Sequence, residues 1–219
     1  MSCIQNYVDP AWVKVLYKKR TPEQTQCIRY LALRGISLGC LNNWLLRAFC
    51  PILGDAEYDK HMYDLSRVKE RALSKLGITI EQVMEIEPVC FQGYNIKESL
   101  LSTKRDDMWV GSSYQVTWLF FSDRQVFFYQ YNFSSIDNEE REFTEEYFYK
   151  DIIGFSTNTE RTEANGYTPK GQPVKEIISQ ESFQLKTAAG NMDCSLKKND
   201  PTAERRIKEM RELLRQKKS

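Results

Sequence analysis

The chain has 219 residues, of which 41% are hydrophobic and 28% are charged, as in an ordinary globular protein. Its 31 basic and 30 acidic residues nearly cancel, so the overall charge gives no attraction to nucleic acid or to an anionic membrane. No apolar run approaches the roughly 18–20 residues of a membrane span. Met1 is not followed by the basic and apolar regions of a secretion signal. We therefore expect a soluble, cytoplasmic protein.

The cysteines contain no C-x-x-C pair, so neither a zinc ribbon nor a thioredoxin-type motif is predicted. Their even number would permit disulfides. Because a secretion signal is lacking, we expect buried, reduced thiols instead. The six residues are Cys3, Cys27, Cys40, Cys50, Cys90 and Cys194.

Two short helices are predicted in the locally basic N-terminal segment. Thr21-Pro22-Glu23 is typical of a helix start, and this helix would continue to Gly35. Apolar residues recur at helical spacing again after Gly39, until Pro51 ends the pattern. Since apolar stripes usually face a core, we favour a helical pair packed on the rest of the protein. The alternative is an amphipathic surface for a membrane or a partner, with arginines at its rim.

One longer helix is predicted over residues 57–76. Its apolar residues form a single stripe, and Gly77 suits the C-terminal cap. A further short helix is predicted to begin at Thr79, with acidic and amide residues in its first turn. The pattern changes at Pro88. We therefore divide the chain into a helical N-terminal region, residues 1–88, and a β-rich domain, residues 89–219.

The β-rich domain is organised around residues 114–133, in which two aromatic runs flank a polar break at residues 122–125. The second run alternates aromatic and polar residues, as a half-buried strand does. The first run alternates less cleanly. Such a pattern is typical of a strand covered on both faces or of one bent around a small barrel. We expect a long hairpin here.

Four further elements are predicted downstream. Residues 142–149 mix aromatic and polar positions, as an edge strand does. Residues 158–174 contain two glycines and two prolines, which predicts a long loop that is mobile or used for binding. Residues 183–196 alternate around a glycine turn and predict a second hairpin. Pro201 begins a terminal amphipathic helix rich in arginine and lysine.

Three local motifs occur in a characteristic order: residues 121–129, FSDRQVFFY; residues 148–154, FYKDIIG; and residues 183–187, FQLKT, before a glycine turn. Together with the terminal helix, this layout resembles the pleckstrin-homology-like domains of the bacterial, GRAM-like branch. The resemblance covers residues 107–218, about half of the chain. It implies a curled antiparallel β-barrel capped by the C-terminal amphipathic helix. With the helices that precede it, the predicted fold class is α+β.

The resemblance implies binding rather than catalysis, to lipid headgroups in some members and to proteins or further copies in others. Lipid-binding members carry basic residues around the loop joining their first two strands. Here that loop is Gly111-Ser112-Ser113, and the charges of the upstream Lys104 and Arg105 are offset by Asp106 and Asp107. We therefore expect a protein partner or self-association. The alternative is peripheral binding to anionic lipids through the basic helices.

Two surfaces are predicted to contact a partner. One is the loop around Tyr167 and Lys170, and the other is the exposed edge strand, residues 142–149, which could accept a partner strand. Arg124 in the hairpin turn could contact a phosphate. The candidate contact residues are Lys104, Arg105, Arg124, Tyr167 and Lys170.

No motif for enzymatic chemistry is present. The sequence lacks a P-loop, a Rossmann glycine pattern, HExxH and GxSxG. His61 is the only histidine and has no obvious co-ligands, and Cys50 is the one thiol worth testing as a nucleophile. The acid pair Glu145-Glu146 would point to opposite faces of a strand. We expect no catalysis, metal, cofactor or nucleic acid.

Overall fold

The computed structural model describes residues 11–33, 53–103, 108–167, 173–188, 190–197 and 201–218. Its α-helices are α1 (Ala11–Leu16), α2 (Pro22–Leu33), α3 (Asp55–Leu65), α4 (Lys69–Leu76) and α5 (Pro201–Lys218). Its strands are β1 (Val89–Tyr94), β2 (Leu101–Thr103), β3 (Trp109–Gly111), β4 (Ser113–Phe121), β5 (Gln125–Ser134), β6 (Glu140–Phe148), β7 (Ile152–Tyr167), β8 (Pro173–Thr187) and β9 (Asn191–Ser195).

The fold is α+β, as predicted. Within the described ranges the strands form three separate antiparallel sheets, not one sheet closed into a barrel. The largest has the order β1-β4-β5-β6, the second pairs β2 with β3, and the third has the order β7-β8-β9. Strand β9 lies against β1 and β4, so the third sheet packs on the first.

The central hairpin is confirmed as β4 and β5, paired in register from Ser113↔Ser134 to Phe121↔Val126. Its turn closes where the Ser122 N–H donates to the carbonyl oxygen of Gln125 at 3.0 Å. Residues from both faces of this hairpin are buried in separate hydrophobic clusters. Coverage on both faces, the first of the two alternatives, therefore explains the weak alternation in β4.

Helix α5 fills the space between the first and third sheets. Its buried apolar face packs with Leu119 and Phe128 of the first sheet and with Phe183 and Leu185 of the third. None of the helices in the described ranges is long and apolar enough to cross a membrane. The predicted amphipathic helix is confirmed. The face consists of Ala203, Ile207, Met210, Leu213 and Leu214.

The N-terminal helices cover the opposite face of the first sheet. Tyr30 of α2 and Tyr58 of α3 stack with their ring centroids 4.3 Å apart and are fully buried. The Tyr58 hydroxyl donates to the carbonyl oxygen of Gly111 at 2.8 Å, which joins the helices to β3. Packing of the first predicted helix against the protein is confirmed. The second predicted helix lies outside the described residues.

The prediction of one helix over residues 57–76 is wrong, because α3 ends at Leu65 and α4 begins at Lys69. The Ser66 hydroxyl donates to the carbonyl oxygen of Tyr63 at 2.8 Å, a local bond that competes with continued helix. The break allows Val68 to be buried with the helices. Gly77 is the left-handed C-cap, as predicted, and the element predicted after Thr79 is a single 3-10 turn.

The prediction of a loop over residues 158–174 is also wrong for residues 158–167 and 173–174, while residues 168–172 lie outside the described residues. Strand β7 extends to Tyr167 and pairs with β8 as far as the pair Tyr167↔Pro173. The hairpin arm carries polar and charged residues with little apolar alternation, so the sequence lacked the usual strand signal. One ion pair, Lys175–Glu163, at 3.1 Å, links its two strands.

The position of α5 between the sheets gives a direct stability test. Met210 is fully buried at the centre of the helix's apolar face. We expect Met210→Ala to lower the free energy of unfolding by about 2–5 kcal/mol, because it leaves a cavity between the sheets. Urea denaturation measures the change. Lys208→Ala, at an exposed position of the same helix, should change stability by less than about 0.5 kcal/mol. Equal effects would contradict this packing.

Candidate functional site

A groove of about 760 Å³ opens between α3, β1, β3, β8 and the end of β9. Its volume lies in the range of natural ligand sites. Helix α3 contributes Met62 and Tyr63, and the strands contribute Tyr94, Trp109 and Ile178. The groove is therefore formed by residues that are distant in the sequence and that the sheet packing brings together.

The wall on the first sheet is aromatic. Tyr94 and Tyr114 are paired across β1 and β4, and their rings meet edge to face at 4.9 Å between centroids. On the opposite side, Ile178 of β8 packs with Ile96 and Trp109 in a small buried cluster. These contacts fix the walls of the groove.

A close backbone approach closes the end of the groove between β1 and β9. A Cβ added to Gly93 would lie 2.9 Å from the carbonyl oxygen of Leu196 and 3.1 Å from Cβ of Ser195. Nearby, the Gln180 side-chain amide donates to the carbonyl oxygen of Tyr94 at 3.1 Å. The position therefore needs glycine for space rather than for backbone conformation.

The rim of the groove exposes large apolar side chains. Tyr63 is 62% exposed, Met108 is 41% exposed and Ile177 is 74% exposed. All three line the groove. Apolar side chains grouped around a concave site, unlike single scattered ones, mark an interaction surface. We name this rim together with the cavity the α3–β8 groove.

A few polar groups converge on the α3–β8 groove: Asp59, Glu181 and Lys197. Burial raises the pKa of the Tyr94 and Tyr114 hydroxyls, and the Asp59 carboxylate adds to the increase. Both phenols therefore remain neutral at physiological pH and can donate hydrogen bonds. Apolar walls with a few directional polar groups are suited to holding a ligand or a side chain in one orientation.

Two of the thiols in the described residues are deeply buried. Burial raises the pKa of the Cys27 thiol to about 11 and that of the Cys194 thiol to about 12, so both stay protonated. Both are free thiols. In the described part of the chain, no group of three or more potential ligands could hold a metal ion. Cys50 lies outside the described residues.

The residues predicted as contacts do not form one site. Arg124 lies in the turn between β4 and β5, exposed, with its Nε 3.4 Å from a carboxylate oxygen of Asp123. Its carbonyl oxygen accepts from the N–H of Tyr149, close to the start of β7, whereas Tyr167 is the last residue of that strand. The 16 residues of β7 span about 50 Å, so Arg124 and Tyr167 lie far apart. Lys104, Arg105 and Lys170 lie outside the described residues.

The groove residues Tyr63, Trp109 and Ile177 are not predicted from the sequence. Tyr63 lies off the apolar stripe of its helix, and Trp109 lies in a strand of three residues. The adjacent pair Ile177-Ile178 was the one available signal, because two neighbouring isoleucines in a polar strand cover both of its faces. The predicted edge strand, in contrast, is confirmed as β6, which pairs with β5 at the edge of the first sheet.

Comparisons of the chain with protein-family models, with curated proteins and with solved structures found no match.

The close approach at Gly93 predicts a specific sensitivity. We expect Gly93→Ala to destabilise the protein by about 1–3 kcal/mol, because its methyl group would press on the backbone of Leu196. Thermal denaturation measures the change. Gly154→Ala is the matched control in another strand, where an added Cβ meets nothing within 4 Å. The control should shift stability by at most about 0.5 kcal/mol. An unchanged midpoint for Gly93→Ala would refute the close contact.

Proposed function

We propose that the chain is a non-enzymatic, cytoplasmic protein-binding module built on a pleckstrin-homology-like scaffold, and that the α3–β8 groove receives an apolar segment of its partner. The observation that carries the proposal is the exposure of Tyr63 and Ile177 beside a cavity of about 760 Å³. When a partner covers large apolar side chains around a cavity, their removal from water lowers the free energy of the complex.

The arrangement of elements supports the scaffold. The first motif of the resemblance forms the β4–β5 turn, the second leads from β6 into β7, and the third lies in β8. Helix α5 then packs against both sheets, the place that the resemblance implies for the terminal helix. Since one fold serves many functions, the binding assignment depends on the groove and not on the scaffold.

Peripheral lipid binding through the basic helices has less support. The apolar faces of α2 and α5 are buried against the sheets and are not available to enter a bilayer. The exposed face of α5 also mixes its lysines and arginines with Glu204, Glu209 and Glu212, which weakens its attraction to anionic headgroups.

Site-specific photocross-linking identifies the occupant of the groove. A benzophenone amino acid placed at Ile177 in the full-length protein, in cells of its host, should form a covalent adduct with one protein. The same group at Ile153, an equally exposed isoleucine outside the groove, is the control and should not form that adduct. An adduct with a second copy of the chain would identify self-association. Adducts with lipid alone, or identical adducts from both positions, would contradict the proposal.

The identified partner then allows a quantitative test. We expect Ile177→Lys to weaken its binding at least tenfold, because the change places a charge on the apolar rim. Calorimetry with purified proteins measures the dissociation constant. Ile153→Lys makes the same chemical change at a site 67% exposed, compared with 74% for Ile177, and should leave the affinity unaltered. Equal losses for the two variants would show that the groove is not the binding surface.

A further inference from the structure

We propose a second interaction surface, distinct from the α3–β8 groove: the outer edge of β6 over residues 143–148 binds an extended, basic segment of a partner protein as an added strand. This edge lies opposite β1, which lines the groove, in the strand order β1-β4-β5-β6. Three interstrand spacings, about 14 Å, separate β1 from β6. The two surfaces are therefore tested independently, and failure of one leaves the other standing.

The backbone pattern identifies which groups of β6 are open. The Ser134 N–H donates to the Glu139 carbonyl, and the Tyr149 N–H donates to the Arg124 carbonyl. The register between β5 and β6 is continuous between these two bonds. Because hydrogen-bonded pairs alternate in an antiparallel ladder, odd-numbered residues of β6 point their backbone groups at β5. The even-numbered residues Thr144, Glu146 and Phe148 point theirs outward.

The outward groups remain unpaired within the described part of the chain. Strand β6 pairs only with β5, and none of the other backbone hydrogen bonds there involves Thr144, Glu146 or Phe148. Residues 143–146 and Phe148 are exposed. Helix α4 contacts β6 nearer the start of the strand, before residue 143. There Arg71 pairs with Glu142 at 2.5 Å and lies over the Tyr131 ring. Unpaired N–H and C=O groups in a row are what an incoming strand needs.

The side chains of the edge specify the chemistry of its occupant. Phe143 is 45% exposed and lies on the same face as the half-buried Tyr147, which offers apolar contact to alternate residues of an added strand. Glu145 and Glu146 are exposed, and neither carboxylate has an ion-pair partner among the described residues. The Gln125 amide, which is neutral, donates to Glu146 at 3.0 Å. A segment that alternates basic and apolar residues fits this edge.

The same charges disfavour a second copy of the chain as the occupant. Two β6 strands paired edge to edge would bring their glutamates together, and like charges on adjacent strands destabilise a sheet. Acidic residues thus protect the edge from self-pairing while leaving it open to a basic strand.

A synthetic strand provides the test. The probe is a fluorescently labelled, capped peptide of alternating lysine and valine, seven residues long, and its anisotropy is titrated with the full-length protein at low and physiological salt. We expect saturable binding that weakens with salt. Two peptides serve as controls: one with glutamate in place of lysine, and one with the parent sequence in which every backbone nitrogen is methylated. The second keeps the charge but has no backbone N–H to donate to the ladder. Both should bind at least tenfold more weakly.

Variants of the protein separate the contribution of backbone hydrogen bonds to peptide binding from that of charge. Thr144→Pro removes an outward N–H that β5 does not use, so the fold should survive while peptide affinity falls at least tenfold. Thr144→Ala keeps the N–H and should bind as the parent does. Glu145→Gln with Glu146→Gln should lower affinity and flatten the salt dependence. Glu204→Gln with Glu212→Gln makes the same change of net charge on exposed positions of α5 and should have no effect.

The proposal is overturned by any of three results. These are an absence of saturable binding, equal binding of the N-methylated peptide, and a Thr144→Pro variant that binds like the parent. Circular dichroism checks that Thr144→Pro is folded. Should it unfold, the comparison of peptides on the unaltered protein, together with the paired glutamine variants, still decides the outcome.

Discussion

The structure depends on a hairpin that must be buried on both of its faces. Strands β4 and β5 carry Leu119, Phe121 and Phe128 on one side and Phe120, Phe127 and Tyr129 on the other, and nearly all are fully buried. A sheet that is apolar on both faces must be packed against other elements on both faces, because either face left uncovered would expose apolar surface to water. Helix α5 and the third sheet must therefore cover one face, and the N-terminal helices must cover the other.

This requirement determines which surfaces remain for binding. With both faces of the first sheet covered, the two proposed contact surfaces lie at its borders. At the β1 border the covering layers do not fully meet, and the gap between α3 and β8 is the groove. At the β6 border the sheet ends in an acidic strand with half of its backbone groups directed outward. One border offers apolar volume, and the other offers hydrogen bonds and charge.

The elements predicted correctly are those in which the residues facing the core and the residues facing solvent alternate with a regular period, or in which one residue type marks the backbone conformation. The β5 strand and α5 have regular periods, and Gly77 is a glycine in a left-handed cap. The loop prediction failed over residues 158–167 because a solvent-exposed hairpin needs no apolar period. The prediction of one continuous helix failed at Ser66, where a side-chain hydrogen bond to the carbonyl oxygen of Tyr63 competes with the helix. The groove could not be predicted from local sequence, since Tyr63, Trp109 and Ile177 meet only through the packing of separate elements.

Amide hydrogen exchange, resolved by residue with NMR, measures directly how well each strand is protected from solvent. We expect the amides of β4 and β5 to exchange most slowly, because both faces of the hairpin are covered and only global opening releases them. In β6 we expect alternation, with slow exchange at Phe143, Glu145 and Tyr147 and fast exchange at Thr144, Glu146 and Phe148. Fast exchange throughout β4 and β5 would contradict the doubly covered hairpin. Uniformly slow exchange along β6 would show that its outer edge is already paired.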